Sequence, residues 1–157
     1  MEPSFAKLLA ELADHNVRFI VVGGVAVTLH GYVRLTEDVD ILLDQDAENV
    51  ARFLGCMAGF GEGFARELSV DDFDDSEGAI RIVEISEHVQ LDVFTRMSGL
   101  HYSDVIMDAD RFELGTRAIR YASKAALIRW KENSVREKDR LDALALHKLT
   151  ANPQAFD

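Results

Sequence analysis

The stretch Phe19-Ile20-Val21-Val22-Gly23-Gly24-Val25-Ala26-Val27-Thr28-Leu29-His30-Gly31-Tyr32-Val33-Arg34-Leu35-Thr36-Glu37-Asp38-Val39-Asp40-Ile41-Leu42-Leu43 decides the fold. Residues 17–22 form a β-branched, nearly unbroken apolar run, which reads as a strand buried on both faces. Gly23 and Gly24 break it sharply. Residues 25–30 then suit a short helix that Gly31 closes, with the His30 cation favoured at its C-terminal end. Residues 38–43 read as a second strand that opens with two acids. Residues i and i+2 of a strand point to the same side, with Cα atoms about 6.5–7 Å apart. Asp38 and Asp40 therefore share one face, where they repel each other unless water or a cation lies between them.

Working outward, Phe5, Leu8, Leu9, Leu12 and Ala13 repeat at helical spacing behind Pro3 and Ser4, with Asn16 as the stop. Asp46 caps a helix over residues 47–58, whose apolar stripe is Val50, Phe53, Leu54 and Met57. Cys56 falls off that stripe and reads as a structural thiol. The acidic run over residues 71–77 reads as a solvated loop. Residues 79–85 and 89–94 form paired strands turned by Ser86-Glu87-His88. A second hairpin turns at Gly115-Thr116. Two helices, over residues 123–132 and 135–149, finish the chain. The second presents Leu141, Leu144, Ala145 and Leu149 on one face. The expected architecture is one α/β (α+β) domain over residues 1–157. A mixed sheet flanked by helices fills residues 1–121, and a short helical part fills residues 122–157.

Asp92 lies inside Val89-Gln90-Leu91-Asp92-Val93-Phe94, with Gln90 and Phe94 on its face. An acid in mid-strand among apolar neighbours is costly without a partner. Arg34, Arg81 or Arg96 can supply one. The other reading is a metal site, if this strand lies beside Asp38 and Asp40. Carboxylate oxygens suit Mg²⁺, or Mn²⁺, which keeps waters and substrate phosphates as its remaining ligands.

The run from Phe19 to Leu43 resembles the signature of the nucleotidyltransferase superfamily, which shares its core with polymerase β. The shared pattern is a strand, Gly-Gly or Gly-Ser, a helix, Asp-x-Asp or Asp-x-Glu on the next strand, and a third carboxylate later. By that resemblance Gly23 and Gly24 form the phosphate-cradling turn, with Gly24 standing where the family often has Ser. Asp38 and Asp40 are the metal pair, and Asp92 is the third carboxylate. Arg34 and Thr36 pin the loop before the metal strand or touch phosphate. The stretch from Ala126 to Asp142, with Lys131 on one helix and the run Arg136-Glu137-Lys138-Asp139 opening the next, resembles the toxin-like branch. It implies Lys131 as a triphosphate ligand, Arg136 and Lys138 as helpers, and Asp139 as a residue of the site or of its support. The implied activity moves a nucleotidyl group from a nucleoside triphosphate to a hydroxyl on a protein, a tRNA end or a small molecule. An antitoxin protein is an implied partner. A non-catalytic nucleotide- or metal-binding module of the same fold is the alternative.

Composition narrows the setting. The chain has 157 residues and a formal net charge of −11, so non-specific binding to long nucleic acid is disfavoured. Its single cysteine permits no internal disulfide. The N-terminus lacks a secretory pattern, and no apolar run is long enough to span a bilayer. The expectation is a cytoplasmic protein.

Overall fold

The computed structural model describes residues 3–31, 38–132, 144, 146 and 147, with the backbone alone at residues 131 and 132. Helix α1 spans Pro3–Asp14 and stops where Asn16 takes a left-handed φ of 58°. Strand β1 (Phe19–Val22) is buried throughout. Helix α2 (Gly23–Leu29) starts at the glycine pair itself, two residues earlier than the sequence suggests. Strand β2 is Val39–Leu43, and α3 is Ala47–Ala58, capped by Asp46 accepting from the Asn49 backbone N–H at 3.3 Å. Strands β3 (Ile80–Glu84) and β4 (Val89–Phe94) form one hairpin. Then come α4, a single turn at Tyr102–Val105, and the hairpin of β5 (Asp110–Leu114) and β6 (Arg117–Tyr121). Helix α5 covers Lys124–Glu132.

Among the described residues six strands form one mixed sheet in the order β3-β4-β2-β1-β6-β5. β1 pairs antiparallel with β2 and parallel with β6, while β2 pairs parallel with β4. The middle of the sheet is closed to water, with Ile20, Val21, Val22, Ile41, Leu42, Leu43 and Leu91 all fully buried. Helix α2 lies against β1 and β2 and touches α5; α1 packs on α3 and β6. The expected mixed sheet flanked by helices is therefore what the chain forms.

Four local readings change. Cys56 is buried rather than beside the stripe, and burial pushes its thiol pKa up to about 12. Helix α3 meets α1 and the two 3₁₀ turns at Phe64–Glu67 and Val70–Asp72, so its buried arc is wider than one stripe. The acidic run is not wholly solvated: it includes a short 3₁₀ turn at Val70–Asp72 and buries Phe73 against Phe53. His30 does not close α2 as a cation. It is buried, its Nε2–H donates to the Ala122 carbonyl at 2.8 Å, and desolvation lowers its pKa, which favours the neutral ring. Leu144, expected on one apolar face with Leu141, Ala145 and Leu149, is 58% exposed, whereas Leu146 is fully buried.

A polar bracket fixes the far end of β2. The Asn49 side chain is fully buried and holds three backbone groups. Its Oδ1 accepts from Arg18 N–H at 2.7 Å, and its Nδ2 donates to the carbonyls of Arg18 at 3.0 Å and Asp44 at 2.8 Å. Asn49→Ala takes this partner from the Arg18 N–H and the Asp44 carbonyl, while the Arg18 carbonyl keeps the Asp44 N–H at 3.2 Å, and is expected to destabilise the fold by about 2–3 kcal/mol. Urea unfolding measures it, and a change below about 0.5 kcal/mol contradicts the bracket.

Candidate functional site

The register of the sheet builds the site. Asp40 on β2 lies directly opposite Asp92 on β4, and on its other side opposite Val22, the last residue of β1. Cross-strand partners project from the same face. Asp38 immediately precedes β2 and is two residues from Asp40, so it joins that face. One carboxylate oxygen from each of Asp38, Asp40 and Asp92 lies within 4.8 Å of the others. Asp92 is 6% exposed, and the other two are half-buried.

Gly23 closes the cluster from the β1 side. Its φ is 66°, a left-handed value that L side chains seldom adopt, and a Cβ there would overlap the Asp40 carboxylate. The glycine is thus set by backbone conformation and by contact with an acid at the same time. Gly24 follows in α2, where its carbonyl accepts from the Thr28 hydroxyl at 3.1 Å.

The electrostatics follow from crowding. Burial, reinforced by the neighbouring Asp92, raises the Asp38 carboxyl above its usual range. Burial, the largest single influence, raises Asp92 too, but the Arg81 guanidinium together with hydrogen bonds from Asp38 and Asp40 holds that carboxyl below its ordinary value. Arg81 on β3 pairs across the hairpin with Asp92. It grips both oxygens, Nε to Oδ1 at 2.9 Å and Nη2 to Oδ2 at 3.2 Å. Arg81 offsets part of the negative charge that the three acids bring together. Hard oxygen donors on separate strands are the donor set that Mg²⁺ or Mn²⁺ takes, so these residues fit a divalent ion.

A strand, a glycine corner, a helix and an acid pair aligned with a third acid on a parallel strand now stand together. The family profile described as "Nucleotidyl transferase of unknown function (DUF2204)" matches residues 2–152. The chain belongs to this family. A crystal structure of an antigenic nucleotidyltransferase-like protein from Paracoccidioides brasiliensis matches with a TM-score of 0.51 and 14% identity. The match covers 92% of this chain and 73% of that one, and it shows a shared nucleotidyltransferase-like fold. Among curated proteins, none matches the chain.

In this nucleotidyl transferase family member the remaining expected site residues divide in two. Lys131 lies on α5, but its side chain falls outside the described residues. Arg34, Thr36, Arg136, Lys138 and Asp139 also lie outside them. Of the three arginines that can partner Asp92, Arg81 does so, while Arg96 turns to Glu77 at 2.9 Å and Asp75 at 3.9 Å. Arg81 is the site residue that sequence reading left as one option among three. The signal for it is the hairpin register, which places residue 81 against residue 92. No helix among the described residues is long and apolar enough to cross a membrane.

Proposed function

We propose that the chain is a metal-dependent nucleotidyltransferase that moves a nucleoside monophosphate from a nucleoside triphosphate to a hydroxyl acceptor. The observation that carries this reading is the convergence of Asp38, Asp40 and Asp92 within 4.8 Å, next to a glycine corner that tolerates no side chain. A binding surface has no need of three crowded acids, which repel one another until a cation arrives.

Asp38, Asp40 and Asp92 hold Mg²⁺ or Mn²⁺ in this reading. When bound, a divalent ion supplies charge neutralisation at phosphate and lowers the pKa of a nearby hydroxyl. Gly23 and Gly24 let the triphosphate approach the backbone closely. Lys131 and Arg136 neutralise the departing pyrophosphate, Arg34 and Thr36 pin the loop before β2, and Asp139 supports the cationic tail. The acceptor oxygen bonds to the α-phosphorus as the bond from that phosphorus to the β-phosphate oxygen breaks. The hydroxyl proton passes to an Asp92 oxygen, which acts as general base. The acceptor is a protein, a tRNA end or a small molecule. The −11 charge disfavours long nucleic acid, and a basic antitoxin is the protein partner it suits. The bidentate hold of Arg81 on Asp92 is the observation that favours the alternative, a non-catalytic nucleotide- or metal-binding module.

Incubation of the protein with cell extract, Mg²⁺ and each of ATP, CTP, GTP and UTP separates the two. Pyrophosphate release and a nucleotide-sized mass increase on one extract component are expected, by mass spectrometry. Binding of a triphosphate with neither signal, for all four, supports the module instead.

A further inference from the structure

Arg81 belongs to no expected ligand set, yet it is the group in contact with both oxygens of the most buried acid in the cluster. Its side chain is 60% exposed while that of Asp92 is 8% exposed. The pair is therefore one-sided: a fixed carboxylate in the sheet, and a solvated cation laid over it from the edge strand. β3 has β4 as its neighbour in the sheet and nothing beyond it among the described residues. Neighbouring Val83 and Ile85, on the same face of the hairpin, are also exposed. The guanidinium is thus held by its charge contacts rather than by packing. The negative fields of Asp38 and Asp40 reach it as well.

A planar guanidinium spanning both oxygens of a carboxylate uses the lone pairs that a cation would need. It also places a positive charge where a second positive charge is to arrive. Resting on the metal-site reading above, we propose that Arg81 is a positioning residue that stands in for a divalent ion at Asp92. It neutralises Asp92 in the metal-free protein and releases the Asp92 oxygens when a divalent ion binds. Its exposed stem gives it room to swing aside, and its remaining N–H donors suit the phosphates that accompany the ion. A residue serving only to brace the hairpin has the opposite consequence, because its loss loosens the cluster and weakens metal binding.

The test is Mn²⁺ binding without nucleotide at neutral pH, followed by the electron paramagnetic resonance signal of free Mn²⁺. The full chain is compared with Arg81→Gln and Arg81→Lys. Arg81→Gln is expected to bind Mn²⁺ about tenfold tighter, since one repelling charge and two competing donors are gone. Arg81→Lys keeps the charge but not the fork, so it is expected to fall between the two and serves if the first variant folds poorly. The gain is expected to vanish when Asp92→Asn is added to Arg81→Gln, because it depends on the freed carboxylate. Equal or weaker binding by both arginine variants, with the unaltered chain binding normally, overturns the proposal and leaves the metal site standing. A gain that survives Asp92→Asn overturns it too. Absence of Mn²⁺ binding by every form overturns the metal site itself.

Discussion

Asp40→Asn is expected to lower nucleotidyl transfer by about a hundred- to a thousandfold, the order that loss of one electrostatic anchor costs. Its fold is expected to survive. Asp40 is half-buried between β1 and β4, and its carboxylate adds a like charge to two others within 4.8 Å. An amide of the same shape removes that repulsion, so the thermal midpoint should stay level or rise. Activity falling while stability holds is the pattern of a group kept for chemistry rather than for folding. Steady-state transfer assays beside thermal melts read both. Transfer within about tenfold of the unaltered chain, still Mg²⁺-dependent, contradicts the assignment of Asp40.

The second large effect is expected at Gly23→Ala. A left-handed φ of 66° costs an L residue about 1–2 kcal/mol, before any contact is counted. The added methyl then meets the Asp40 carboxylate, so either β1 or Asp40 must move. Displacing a catalytic group by about 1 Å is enough to cost about a hundredfold in rate. The expected outcome is a modest loss in urea stability together with transfer reduced by about that factor. A variant of normal activity, whatever its stability, would show that the corner is a turn and no part of the site.

The sequence was explicit wherever a local rule had a single solution. The boundaries of α3 came from Asp46 as cap and a clear apolar stripe, and α1 ended at Asn16 as expected. The break at Gly23-Gly24 and the Asp-x-Asp start of β2 needed only strand periodicity. Arg34, Thr36, Arg136 and Asp139 lie outside the described residues and stand as expectations from resemblance. The partner of Asp92 is different, because local rules left it open. A three-residue turn at residues 86–88 pairs residue 85 with residue 89, and so sets Arg81 against Val93. The actual turn covers residues 85–88, Glu84 pairs with Val89, and Arg81 meets Asp92. A slip of one residue changes which side chain meets which, and turn chemistry alone does not fix it.

His30 and Cys56 teach the same lesson from the interior. Read locally, one is a helix-end cation and the other a thiol beside the stripe. Their burial comes from Ala122, 92 residues away from His30, and from the packing of α1 against α3. The amino-acid order by itself therefore determined the elements, the acids and the glycine corner, because hydrophobic period, capping and turn residues act over a few positions. Tertiary structure decided that β2 and β4 run side by side in a register that aligns Asp40 with Asp92, and that Gly23 leaves room for no atom but those of Asp40. Such alignments depend on packing between residues 52 apart (Asp40 and Asp92) and 17 apart (Gly23 and Asp40), and neighbours along the chain carry no record of them.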